Sequence, residues 1–196
     1  MKKHRFICVM LIVSMLLLLF AGCDPTDEQL KINSRPHGRG VCNLYSQELT
    51  DLSKVKIPLS TTHLYLDRNQ IKDISALAGL TNLTWLDLTG NGLIDISPLS
   101  GLTNLKTLYL GNNQISDLSA LSSLTSLTEL YLNNNQISDL TALSSLTNLS
   151  YINLINNRIS DLLPLSKLTN LPALFLGYNQ RVCLSCAEIN RSLKAI

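Results

Sequence analysis

Charge is scarce in this chain: 15% of its 196 residues are charged and only 5% are aromatic. The formal balance of +2 shrinks once Lys2, Lys3 and Arg5 are assigned to a removable leader, which leaves 13 basic against 14 acidic residues. A near-neutral chain lacks the basic face that a phosphate backbone demands, so nucleic acid is excluded as a partner. Histidine is also sparse, and neither a nucleophile motif nor a phosphate-binding glycine loop is present, which removes the usual starting points for catalysis. No cofactor is expected. After residue 20 there is no long apolar run, so the body of the chain has no candidate membrane span. What remains is enough apolar residue, 45% of the total, for one well-buried domain.

The one long apolar run is at the start. A basic opening, Met1 to Arg5, precedes fifteen mostly apolar residues from Phe6 to Phe20 and then Ala21-Gly22-Cys23. That order is an export signal, too short for a comfortable span of about 20 residues. The string Leu19-Phe-Ala-Gly-Cys23 resembles the bacterial lipobox, with Phe20 standing where leucine is usual. The resemblance implies cleavage after residue 22 and a diacylglycerol plus an N-acyl chain such as palmitate on Cys23. More than one hydrocarbon chain makes a durable anchor. Asp24 resembles the inner-membrane retention signal of enteric bacteria, so inner and outer membrane both stay open. Residues 23–40 then read as the lipidated N-terminus and a flexible tether, since Pro25, Pro36, Gly38 and Gly40 interrupt a polar stretch with no sustained period.

From Thr61 onward the sequence repeats every 22 residues. Five full units begin at Thr61, Leu83, Leu105, Leu127 and Leu149, with a truncated sixth at Leu171, so that the repeats occupy 61–182. Each unit has seven apolar slots, as in Leu105-x-x-Leu108-x-Leu110-x-x-Asn113-x-Ile115-x-x-Leu118-x-x-Leu121-x-x-Leu124, and 34 of the 35 slots are Leu or Ile, Thr61 being the exception. This pattern resembles the leucine-rich-repeat family, and the 22-residue length with I-S-D-L-S-x-L resembles the internalin type. The resemblance implies an α/β solenoid with a parallel β-sheet on its concave face and 3₁₀ or short helical turns on its convex face.

The physics agrees. The period-2 spacing in Leu108-Tyr-Leu110 puts both leucines on one side of a short strand, and leucine at every third residue suits a 3₁₀ return. A single unit cannot bury seven apolar side chains, whereas stacking units about 4.8 Å apart makes a continuous core. Both ends of such a stack need covers. Val41, Leu44, Leu49, Leu52, Val55 and Ile57 supply an N-terminal cap over 41–60, and Val182, Leu184, Ile189, Leu193 and Ile196 a C-terminal one over 183–196.

Several residue rows carry candidate roles. Asn69, Asn91, Asn113, Asn135, Asn157 and Asn179 recur just after each strand, where an amide can satisfy backbone groups and adjacent amides can form a structural ladder. Asp73, Asp95, Asp117, Asp139 and Asp161 form a second row, better suited to capping turns than to converging on a cation, so no metal is expected. Of the five cysteines, Cys183-x-x-Cys186 has the spacing for a local disulfide. Cys42 is expected to pair with neither, because the stack separates them by about 24 Å or more.

Function is sought on the surface left after the core is assigned. The outward strand positions read His63, Trp85, Thr107, Glu129, Tyr151, Ala173 and Tyr65, Asp87, Tyr109, Tyr131, Asn153, Phe175, which hold six of the ten aromatics. Aromatics give large contact area at low entropic cost. The candidate ligand-binding residues are therefore Tyr65, Trp85, Asp87, Tyr109, Glu129, Tyr131, Tyr151, Asn153 and Phe175. Asp87 and Glu129 stand two strands and about 10 Å apart, a separation not impossible for paired carboxylates, and with no cleft signalled around them an enzyme is not expected. Internalins engage host-surface proteins through the concave face, so the resemblance implies a protein partner, in adhesion or host contact. A periplasmic envelope scaffold or inhibitor and a glycan-binding module are the alternatives.

Overall fold

The computed structural model describes residues 40–180 together with the pair Asp24–Pro25. The leader, Cys23, most of the tether, and the C-terminal cap with Cys183 and Cys186 lie outside the described residues. No helix among the described residues is long and apolar enough to cross a membrane.

Seven three-residue strands form one parallel sheet in chain order: β2 (Val41–Asn43), β4 (His63–Tyr65), β5 (Trp85–Asp87), β6 (Thr107–Tyr109), β7 (Glu129–Tyr131), β8 (Tyr151–Asn153) and β9 (Ala173–Phe175). The register steps by one repeat at every pairing, aligning Leu64, Leu86, Leu108, Leu130, Ile152 and Leu174. Between strands the chain returns through 3₁₀ turns at Ser75–Leu77, Ser97–Gly101, Ser119–Ser123, Thr141–Ser145 and Leu163–Lys167. Each turn sends one leucine inward: Leu77, Leu99, Leu121, Leu143 or Leu165.

All 35 inward slots of the five full units are buried. Thr61, the one polar occupant, is also enclosed, and its hydroxyl donates to the Pro58 carbonyl at 2.7 Å, which offsets the cost of burying it. The sheet therefore exists because no unit can hide its leucines alone, and each strand gains its core by lying against the next.

The N-terminal segment contributes more than a cover. β2 pairs with β4 in the repeat register, Cys42 opposite Leu64, so the segment is a degenerate repeat offset by one period. Cys42, Leu44, Leu49, Leu52 and Val55 are buried in the positions that Leu64, Leu66, Ile71, Ile74 and Leu77 hold one unit later. Val41, a residue expected to seat the cap, points to the outer side and is only half-buried, because β2 turns Cys42 inward instead. Cys42 is disulfide-bonded. A short antiparallel pair, β1 (Asp24–Pro25) with β3 (Val55–Lys56), lies beside this unit.

Candidate binding face

The aspartate row acts locally. Asp73, Asp95, Asp117, Asp139 and Asp161 each accept a backbone N–H from the residue two positions on, at 2.8 Å in every case, and so start each 3₁₀ turn. Side-chain and backbone hydrogen bonds from Thr141 hold the Asp139 carboxyl below the usual carboxylate range. Carboxylates spent on these turns do not converge on a common point.

The asparagine row is built from shared carbonyls. Asn113 Nδ2 donates to the Leu88 and Leu110 carbonyls, both at 3.0 Å, while its Oδ1 accepts the Leu93 N–H at 3.1 Å. The next residue in the row, Asn135, donates to the same Leu110 carbonyl and to that of Leu132. Asn69, Asn91, Asn157 and Asn179 repeat the arrangement, so each inward leucine carbonyl from Leu66 to Leu154 takes two amides, one from its own repeat and one from the next. These amides are linked through the backbone and do not bond one another. A direct amide ladder stands one position earlier, on exposed residues: Asn134 Nδ2 donates to Asn112 Oδ1 at 2.7 Å, and Asn156 Nδ2 to Asn134 Oδ1 at 2.9 Å. All three occupy the left-handed region, with φ of 56° to 57°, which asparagine tolerates better than other non-glycine residues. The Asn-Asn pairs at 112, 134 and 156 were the sequence signal for this second ladder.

The outward face of the sheet is lined by rings in contact. Tyr65 and Trp85 lie 4.3 Å apart between centroids, Trp85 and Tyr109 5.1 Å, Tyr109 and Tyr131 4.1 Å, Tyr131 and Tyr151 4.7 Å, and Tyr151 and Phe175 5.2 Å. His63 extends the series, stacked on Trp85 at 6.4 Å. The sequence separates these residues into two rows, yet in the fold they make one ladder, because rings of one row lean across to those of the other on neighbouring strands. Offset and tilted rings at these distances gain about 0.5–1.5 kcal/mol per pair beyond area burial. The tyrosines and Trp85 are half-buried in this way, and Phe175 at the last strand is 42% exposed.

Glu129 and Asp87 sit within this ladder. The Tyr131 hydroxyl donates to Glu129 at 3.3 Å, and Asp87 stands in register between Tyr65 and Tyr109 while accepting the Thr89 N–H at 2.8 Å. Burial pushes the Asp87 carboxyl up, against the lowering effect of Thr89. Asp67, two residues beyond Tyr65, is raised by burial and then by the neighbouring charge of Asp87. Burial likewise raises the Tyr109 and Tyr131 phenols. The Asn153 side-chain carbonyl accepts the Ile155 N–H at 3.1 Å. The nine expected face residues thus share one surface, and Asp67 belongs with them, following Tyr65 at the same period of two.

The chain matches the family described as Leucine Rich repeats (2 copies) over residues 62–101, 81–123, 103–147 and 125–167. Among curated proteins none matches. Solved structures do. An internalin from Listeria monocytogenes is similar at 40% identity with a TM-score of 0.69, over 72% of this chain and 42% of its own. Internalin C2 of the same organism is similar at 34% identity with a TM-score of 0.62, over 72% of each chain. A leucine-rich-repeat protein of Leptospira interrogans is similar at 27% identity with a TM-score of 0.63, over 69% of this chain and 36% of its own. The chain therefore spans less than half the length of the first and the third. With the period, the sheet and these matches in agreement, the chain belongs to the leucine-rich-repeat family.

Proposed function

We propose that this protein is displayed at a bacterial cell envelope and binds a protein partner through the outward face of its parallel sheet, in adhesion or host contact. Leucine-rich-repeat proteins typically mediate protein–protein interaction. The observation that carries the reading here is the unbroken ladder of half-buried rings from Tyr65 to Phe175 along one side of six successive strands. Rigid aromatic area at the centre of a face is what interface hot spots are made of. The convex side, by contrast, presents Ser, Thr and Asp engaged in their own turns.

The test places a photo-crosslinking residue at Tyr109 or Tyr131 on the face and at Ser122 on the convex side, in intact cells with and without host cells. Adducts of one discrete partner from the face positions and none from Ser122 are expected. Adducts from Ser122 alone would refute the reading. A partner captured only after the envelope is opened, together with repeats that resist protease shaving of intact cells, would replace host contact with an envelope scaffold or inhibitor.

Attachment through a lipid on Cys23 completes the proposal, supported by the order of the leader. The competing outcome is a disulfide, because a Cys23 sulfur engaged with Cys42 would have none left for a thioether. Intact mass of the mature protein reads the outcome: added diacylglycerol on a chain beginning at Cys23 supports the anchor, and an unlipidated Cys23 joined to Cys42 overturns it.

A further inference from the structure

The three outward rows of the sheet face carry charge of only one sign. Across β4 to β9 and the residues that continue them, the charged members are Asp67, Asp87 and Glu129, with no lysine or arginine among them. The nearest cations stand at the margins. Arg68 turns away to Tyr45, its guanidinium 5.7 Å from that ring and donating to the Tyr45 hydroxyl at 3.2 Å, and Lys106 is exposed just before β6. Arg68 still acts on Asp67 through its charge, though less than burial and Asp87 do, so within the three rows themselves the acids have no cation beside them.

The placement of two of these acids is specific. Asp87 has Tyr65 on one side and Tyr109 on the other, and the Trp85 ring contacts both tyrosines. Asp67 lies close enough to feel the charge of Asp87. Aromatic faces attract a cation through their quadrupole, most strongly for tryptophan and for arginine-type cations, and carboxylates within the same enclosure add a direct charge. An acidic or neutral partner surface would meet desolvated carboxylates with nothing to pair them.

We propose that the occupant of this face is a basic protein segment, which seats an arginine or lysine side chain among Tyr65, Trp85 and Tyr109 against the Asp67 and Asp87 carboxylates. This rests on the reading of the sheet face as the binding surface and specifies the chemistry of its partner. A basic side chain adds its apolar stem to the rings while its head meets the carboxylates, so both components of the face are used at once.

Trp85 is the only tryptophan in the chain, so its emission reports directly on the site. The probes are the peptide acetyl-Gly-Arg-Gly-Arg-Gly-amide, its Glu counterpart, and a neutral oligosaccharide, cellohexaose. The Arg peptide is expected to shift Trp85 emission saturably, at least about tenfold more tightly than the Glu peptide, and to weaken as salt rises. Asp87→Asn is expected to weaken it by about tenfold or more. That variant should melt no lower than the parent at pH 7. Because the folded carboxyl is pushed up, its favourable contribution is present below the ordinary carboxylate value of 3.8 and lost as pH rises through the raised one, and Asn removes the charge responsible. Equal response to the Arg and Glu peptides, no response to the Arg peptide, or an unchanged Asp87→Asn variant overturns the basic partner while leaving the crosslinking test of the face untouched. Saturable binding of cellohexaose without the Arg peptide overturns it in favour of a glycan. If crosslinks from Tyr109 also fail, the face reading falls with it.

Discussion

Replacing Asn113 by alanine is expected to cost about 3 kcal/mol of stability, and replacing its neighbour Asn112 by alanine about 1 kcal/mol. The two residues have the same chemistry and adjacent places, so the difference isolates what each amide is bonded to. Asn113 is buried, and its removal strips the Leu93 N–H of its acceptor. It also takes one of the two amides from each of the Leu88 and Leu110 carbonyls, whose other donors are Asn91 and Asn135. An orphaned buried N–H costs about 1–3 kcal/mol, and two weakened carbonyls add to that. Asn112 is exposed, its side chain accepting the bond from Asn134, and water can replace that bond. Its alanine variant is penalised mainly because it lacks the short polar side chain that eases a left-handed φ of 56° for asparagine. Asn112→Gly, free of that penalty, should be near neutral. Denaturant unfolding of the three variants checks the order, and equal losses at 112 and 113 would show that the shared-carbonyl account is wrong.

The repeat register was readable in the sequence because Leu or Ile fills nearly every inward slot, and a pattern repeated over five units leaves one consistent register. β2 was harder to see. Its inward strand residue is Cys42 where the other units have Leu or Ile, and Gln47 occupies the place of the buried asparagine. The offset of 22 residues from Leu44 to Leu66, Leu49 to Ile71, Leu52 to Ile74 and Val55 to Leu77 was the signal that this segment is itself a repeat. In that place Gln47 does not reach inward as an asparagine would. Its backbone N–H, with that of Leu49, is instead satisfied by Asn69 Oδ1 at 2.9 Å, so the first true asparagine serves both its own unit and the degenerate one.

The face was legible as two rows of side chains and no further. Period-2 alternation decides which residues point outward, and this placed Tyr65, Trp85, Tyr109, Tyr131, Tyr151 and Phe175 on one side. Whether Trp85 stacks along its own row or leans across to Tyr65 and Tyr109 depends on side-chain rotamers and on the spacing of neighbouring strands, which no alternation encodes. The inclusion of Asp67 depended on the chain continuing extended past β4, a length that the pattern of leucines alone leaves undefined.

Leu130→Ala should be the most damaging single truncation, with an expected loss of about 2–5 kcal/mol. Leu130 is fully buried on β7, with Leu108 on one side and Ile152 on the other. A cavity there weakens the contacts of a central unit with both neighbours at once, and in a stack stabilised between nearest neighbours that is where the array divides. Leu174→Ala removes the same atoms from β9, where the side chain is only partly buried and has one described neighbouring strand, and is expected to cost about 1 kcal/mol. The two variants should also differ in form. Trp85 reports on the repeats before the break, whereas backbone circular dichroism reports on all of them. In Leu130→Ala the dichroism transition is expected at lower denaturant than the Trp85 transition, as the units beyond β7 lose their support first. In Leu174→Ala the two should stay close together, since only the terminal unit is loosened. Coincident transitions in Leu130→Ala, shifted equally, would mean that the stack unfolds as one cooperative body and that its stability is not divided unit by unit.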